Sequence, residues 1–264
     1  MFEANLLKDQ VAVITGGGTG IGLAIARRLG TLGARIAIAS RNAEHLEQGA
    51  NVLREAGIDA LAVQLDVRNP EQVDEMVLRT VRHFGSLDLL VNNAAGNFIC
   101  RAEDLSPNGW NAVVGIVLNG SFYCSRAVGQ YMIARKRGGS IVSVLANYVW
   151  TGSPGTIHSA AAKAGVMSMT QTLAVEWARH GIRVNAVAPG PIASSPGAAK
   201  QLWNSQEAVD RISAMIPGHT WGTPEQVADA VAFLAAPQTG FITGEIMTID
   251  GGTWINRGTF GFMA

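Results

Sequence analysis

Apolar residues fall into two alternating patterns along this chain. Short runs with little polar interruption occupy residues 11–14, 35–39, 60–65, 87–91, 140–145, 182–188 and 245–249. Runs of this length suit strands buried on both faces, as in a parallel sheet covered by helices. Between them lie segments with helical period, at 23–32, 43–56, 70–84, 110–135, 159–180 and 224–236. Strand and helix alternate throughout, which predicts an α/β fold. The expected form is one doubly wound, mostly parallel sheet of seven strands with helices on both faces. Ligands of such sheets bind beyond the carboxyl ends of the strands, where the strand order reverses. That rule directs attention to residues 16–22, 40–41, 66–67, 92–98, 145–150 and 189–192.

Composition narrows this picture without redirecting it. The chain has 264 residues, 48% of them hydrophobic, enough for one large domain with a sizeable core. No linker, repeat or charge block divides it, so residues 1–264 are read as a single domain. Twenty basic residues balance twenty acidic ones, which argues against a nucleic-acid or anionic-membrane surface. No uninterrupted apolar run is long enough to span a bilayer, and the first residues lack the basic and apolar regions of a signal peptide. The expectation is a soluble cytoplasmic protein. Cys100 and Cys124 imply no disulfide framework, and the His and Cys spacings form no zinc motif, so no metal is expected.

The first apolar run leads directly into glycines: Val11-Ala-Val-Ile-Thr-Gly-Gly-Gly-Thr-Gly-Ile-Gly22. A strand, a tight turn and a helix N-terminus in succession expose unpaired N–H groups, and the absent side chains let a pyrophosphate approach. Glycine also serves ordinary turns, so the β/α alternation downstream is what gives the motif its meaning. A site for NAD usually has an acidic residue at the tip of the second strand. Here the tip reads Ser40-Arg41, with no carboxylate. Ser40 can hydrogen-bond a 2′-phosphate and Arg41 can pair with it, which favours NADP. The plain alternative is a solvated charge at the start of the next helix. Asp66 follows the third strand, where it either accepts from the adenine amine or caps the next helix.

Thr15-Gly-x-x-x-Gly-x-Gly22, Asn92-Asn-Ala-Ala-Gly96, Lys163 in a helix and Pro189-Gly-Pro-Ile192 occur in this order along nearly the whole chain. Together they resemble the short-chain dehydrogenase/reductase family. The resemblance implies a Rossmann-type domain whose cofactor crevice includes Gly16, Thr19, Gly20, Ile21, Gly22, Ser40, Arg41, Asp66, Val67, Asn93, Ala94, Lys163, Pro189, Gly190 and Ile192. Most members carry Tyr-x-x-x-Lys and an upstream Ser. This chain has Ser159-Ala-Ala-Ala-Lys163, and Ala146 where that Ser would stand. The stretches Asn92-Asn-Ala-Ala-Gly-Asn-Phe-Ile99, Glu103-Asp-Leu-Ser106, Ile116-Val-Leu-Asn-Gly120 and Ile157-His-Ser-Ala-Ala-Ala-Lys-Ala-Gly165 look like the NADPH-dependent 2,4-dienoyl-CoA reductases within the family. That resemblance moves the acidic donor to Tyr148, eleven residues before Ser159, and pairs it with Asn97. It also implies an acyl-CoA substrate and a homotetramer.

The displaced tyrosine suits conjugate reduction. Hydride arrives at C5 of a dienoyl thioester while the charge develops on the distant thioester oxygen, where Tyr148 O–H and Asn97 N–H can act as an oxyanion hole. Lys163 lies on an apolar helix face, an unusual place for a lysine with no task. Its implied task is to hold the nicotinamide ribose. Ser159 orients the substrate or Lys163, or is only the helix N-cap. Asn119 interrupts a long helix and, by the resemblance, bends it and holds a water; a packing Asn is the alternative. Asn93 is read as a turn stabiliser, and Tyr123, Tyr131, His158 and Cys100 as packing residues. Residues 193–222 are read as a substrate lid. Many relatives have an Arg where Pro217-Gly-His-Thr-Trp-Gly222 has none. The alternatives kept open are another activated double bond, such as a 2-enoyl thioester, a carbonyl substrate, or a catalytically silent NADP-binding protein.

Overall fold

The computed structural model describes residues 2–193 and 205–256. Seven parallel strands form one sheet in the order β3-β2-β1-β4-β5-β6-β7. They are β1 (Val11–Thr15), β2 (Arg35–Ser40), β3 (Ala60–Gln64), β4 (Leu89–Asn92), β5 (Gly139–Val144), β6 (Ile182–Pro189) and β7 (Ile246–Ile249). The order reverses between β1 and β4, so the crevice opens at the carboxyl ends of those two strands.

Side-chain alternation divides the core into two layers. Ala12 and Ile14 of β1 face a layer with Ile25 and Leu29 of α1 (Gly20–Thr31), Leu46 and Leu53 of α2 (Ala43–Glu55), and Val227 and Val231. Val11 and Val13 face the opposite layer, with Met76 of α3 (Pro70–Phe84) and Cys124, Val128 and Met132. Both layers bury aliphatic side chains almost completely, which explains why the strand sequences read as apolar throughout.

The helix expected at 110–135 begins earlier and is not uniform. Ser106 accepts a hydrogen bond from the Gly109 amide and starts α4 (Pro107–Val114). A π-helical turn follows at Gly115–Asn119, and α5 (Gly120–Arg135) continues the rod. The whole helix, Pro107–Arg135, has the length and hydropathy of a bilayer-crossing segment, which an uninterrupted-run criterion passes over. Its buried face instead serves the core through Val117, Cys124, Val128 and Met132. The next helix, α6 (Ile157–Trp177), starts two residues before the expected 159. Residues 194–204 of the expected lid lie outside the described residues. The remainder is helical or turns back on the fold: α7 (Gln206–Met215) is capped by Ser205, and α8 (Pro224–Ala235) by a Thr223–Gln226 capping box.

Candidate active site

The glycine-rich turn is built by close approach. Gly16 has φ +65°, and a Cβ there would sit 2.9 Å from Asn93 Nδ2. A Cβ on Gly22 would overlap the Gly16 carbonyl oxygen and lie 2.5 Å from the same Asn93 nitrogen. Asn93 fills this space productively, donating from Nδ2 to the carbonyls of Thr15 at 2.9 Å and Gly16 at 3.2 Å. Thr15 Oγ1 in turn accepts from the amides of Asn93 and Ala94, both at 3.0 Å. The loops after β1 and β4 are thus locked together. Thr19 is exposed and makes no side-chain cap, so the first amides of α1, beginning at Gly20, Ile21 and Gly22, have no side-chain acceptor from it. That is the arrangement that receives a pyrophosphate.

Arg41 stands exposed just beyond β2, beside half-buried Ser40. It does not cap α2, because Asn42 does, accepting from the His45 amide at 2.9 Å. Asp66 does not cap α3 either; Asn69 occupies that position, so the capping alternative for Asp66 is corrected. Its carboxylate accepts from Arg68 Nε at 3.0 Å, Arg68 Nη2 at 2.6 Å and the Arg68 amide at 3.0 Å. The Arg68 guanidinium holds Asp66 below its ordinary pKa against the opposing effect of burial, and the Arg41 charge adds to the lowering. Arg68 went unnoticed in the sequence, where only its spacing from Asp66 signals it. Val67, in the loop after β3, is buried against the start of α5, where a Gly120 Cβ would come within 2.6 Å of its Cγ2.

Lys163 and Ser159 sit one helical turn apart on α6, on the same buried face. Ser159 is therefore inside the helix; Thr156 holds the N-cap position, which corrects the cap alternative. Ser159 Oγ and Tyr148 Oη are 2.9 Å apart. Tyr148 lies in the single 3₁₀ turn after β5, Asn147–Val149. Burial pushes its phenol above the ordinary value, outweighing the Ser159 hydrogen bond, so it remains a proton-bearing donor. Lys163 Nζ donates to the Val144 carbonyl, and burial lowers its pKa to about 8. Asn97 Oδ1 accepts from the Phe98 amide at 2.9 Å, which commits its oxygen and leaves its NH₂ as the donor. Phe98 is braced edge-on by His158 at 4.4 Å. His158 is wholly buried, and burial pushes its pKa down against the opposing pull of the Thr156 backbone. Asn119 is exposed at the end of the π turn, next to Leu118, which meets α6 at Gly165.

Asn97, Tyr148, Ile21, Pro189, Gly190 and Ile192 all line one cavity of ≈ 580 Å³. Lys163, Ser159 and Asn119 lie outside its lining; Lys163 approaches it through Val144, which does line it. Ile212 and Met215, from the described part of the expected lid, line it too, with Thr253 and Trp254, which the sequence did not single out. The turn lacking the family's Arg is anchored differently: Gly222 exchanges backbone hydrogen bonds with Pro191 and Ala193, and Trp221 Nε1 donates to Ser213 Oγ at 2.7 Å.

A sequence profile described as enoyl-(acyl carrier protein) reductase matches residues 16–253. The chain belongs to the short-chain dehydrogenase/reductase family. It is an oxidoreductase of that family, which uses a nicotinamide cofactor. It is 45% identical over 251 residues to a probable 2,4-dienoyl-CoA reductase, (2E)-enoyl-CoA-producing, of Bacillus subtilis, covering 95% of this chain and 98% of that one. A peroxisomal 2,4-dienoyl-CoA reductase of Arabidopsis thaliana, (3E)-enoyl-CoA-producing, is 39% identical, with 97% and 88% covered. Among solved structures, a short-chain dehydrogenase of Bacillus anthracis matches with TM-score 0.87 and 46% identity over 95% of this chain and 99% of that one. Within this short-chain dehydrogenase/reductase fold, the glycine-rich turn leading to α1, whose first amides take no side-chain cap from Thr19, fits a bound dinucleotide.

Proposed function

We propose that this protein is an NADPH-dependent 2,4-dienoyl-CoA reductase that takes part in degrading unsaturated fatty acids. The observation that carries the reading is the Tyr148–Ser159 hydrogen bond at 2.9 Å, in a site where Ser159 replaces the family's usual Tyr. A carbonyl reductase needs its donor beside the carbon that accepts hydride. Tyr148 instead reaches the site from the loop after β5 and faces the same cavity as Asn97. The dienoyl-CoA reductase names of the relatives support the same substrate class.

Gly16, Gly20 and Gly22 would cradle the pyrophosphate, with Ser40 and Arg41 at the 2′-phosphate, and Pro189, Gly190 and Ile192 along the nicotinamide. Bound NADPH supplies the hydride for C5. Tyr148 O–H and Asn97 N–H hold the thioester oxygen as charge reaches it, without giving up their protons permanently. Ser159 keeps the Tyr148 hydroxyl aimed. Lys163 binds the ribose and keeps the local potential positive. Proton transfer from water to C2 of the dienolate then gives the 3-enoyl thioester. The assembly expected is a cytoplasmic homotetramer packed through its long helices.

The test is NADPH oxidation with 2,4-hexadienoyl-CoA and with crotonyl-CoA, followed by product analysis. Turnover of the dienoyl substrate to 3-hexenoyl-CoA is expected. Turnover of crotonyl-CoA alone would move the assignment to simple enoyl thioesters, and a 2-hexenoyl product would place the proton on C4.

A further inference from the structure

The segment after β7 is tied to the Tyr148 loop by one carboxylate. Asp250 accepts from Asn147 Nδ2 at 3.1 Å, the Gly252 amide at 2.9 Å and the Trp254 amide at 2.8 Å. It is also pressed against the loop after β6, where a Cβ on Gly190 would lie 2.5 Å from its own Cβ. Three loops at the carboxyl edge of the sheet therefore meet at Asp250. The result is a fixed Trp254, whose ring stacks on Trp150 with centroids 4.8 Å apart and planes 26° from parallel. Trp254 lines the cavity on the side of Ile212 and Met215, and Tyr148 and Asn97 line it as well.

An indole with its backbone amide held and its face covered by a second indole cannot easily swing aside. We propose that Trp254, braced by Trp150 and positioned by Asp250, is the end stop of the acyl channel and sets the chain length of the thioester the enzyme accepts. The proposal rests on the acyl-thioester reading above. The expectation is that six- and eight-carbon chains stop short of the indole and that a twelve-carbon chain meets it. Pockets that end in a rigid wall discriminate between homologues by about 10- to 200-fold per misfitting methylene.

The experiment measures two quantities on wild type, Trp254→Ala, Trp254→Phe and Trp150→Ala. One is the binding of saturated hexanoyl-, octanoyl- and dodecanoyl-CoA to protein loaded with NADP⁺. The other is kcat/KM for 2,4-dienoyl-CoA of the same lengths. NADPH affinity checks that each variant is folded. Wild type is expected to prefer the shorter thioesters. Trp254→Ala should raise the dodecanoyl-to-hexanoyl ratio by at least about tenfold, Trp150→Ala by less, and Trp254→Phe least. A wild type without length preference, a ratio unchanged in Trp254→Ala, or failure to bind any acyl-CoA overturns the proposal. Length-selective binding without dienoyl turnover supports the end stop and removes only the dienoyl-CoA reductase assignment. Turnover with a flat length profile does the reverse.

Discussion

The two ends of the crevice are held by different means. At the glycine-rich turn, geometry is set by backbone and by what is missing: Gly16 and Gly22 leave no room for a Cβ, and Thr15 and Asn93 lock the adjoining loops. At the other end, geometry is set by side chains with chemistry of their own: Tyr148, Ser159 and Lys163, each largely or fully buried. The first end fails by steric overlap and fails whole. The second fails one functional group at a time. This contrast predicts which substitutions cost binding and which cost turnover.

The largest effect is expected at the first end. Gly22→Val puts a branched Cβ against the Gly16 carbonyl oxygen, well inside contact distance, and 2.5 Å from Asn93 Nδ2. Overpacking of this kind costs about 1–3 kcal/mol of stability, and calorimetric titration should find NADPH binding lost. A variant that binds NADPH normally would show that the turn yields, and would break the contrast. Next comes Tyr148→Phe, which should lower turnover of a dienoyl-CoA by roughly 10²–10³ while leaving NADPH binding intact. Adding Asn97→Ala should cost less than the product of the two single effects if both donors serve one oxygen. Ser159→Ala should cost far less than either. If instead Ser159→Ala is inactive and Tyr148→Phe is near wild type, the donor is Ser159.

Arg41→Ala probes a region between the extremes, where an exposed charge carries specificity. It should weaken NADPH binding by about ten- to a hundredfold, the value of one charged hydrogen bond, and leave NADH binding unchanged. Equal weakening of both would remove the 2′-phosphate assignment. A separate effect, on stability and not on binding, concerns Lys163, whose pKa falls from 10.5 to about 8 by burial. Between these values the unfolded chain holds a proton that the folded chain has released, so stability rises with pH there. Below pH 8 the buried ammonium is a cost on the order of 3 kcal/mol. Urea melts of wild type and Lys163→Met without cofactor should show wild type gaining on the variant from pH 8 to 10.5. Parallel curves would show that Lys163 is not destabilised by burial.

How much of this was legible in the sequence depends on range. The seven strands were, because the sheet is packed on both faces and each strand carries a short, mostly apolar run. The Asn92–Ala94 loop and Lys163 were, because unusual residues stand in unusual surroundings. Asp66 could be read as a cap because a helix follows, yet Asn69-Pro70 is the stronger local signal and takes the position. Ser159 could be read as a cap because periodicity does not mark the first turn, which starts at Ile157. The Asn147–Asp250 bond joins residues 103 apart, and the Trp150–Trp254 stack is as remote. Neither has a local pattern, so the part of the cavity wall after β7, Thr253 and Trp254, was invisible.

The π turn at Gly115–Asn119 amounts to one surplus residue spliced into an otherwise regular rod. Deleting a single residue there would let the helix run on without interruption, and each residue turns a helix by about 100°. Five residues at the wider i→i+5 winding turn about as far as four in an α-helix, so α4 would keep its phase with α5. Val113, 3% exposed, would stay on the face where it packs with Val117, Val149 and Ala162. In reading-frame terms the helix carries a +1 insertion whose shift is absorbed on the spot. A codon deletion within 115–119 should therefore be better tolerated than one inside α5, which has no surplus residue and would turn its two parts against each other by about 100°.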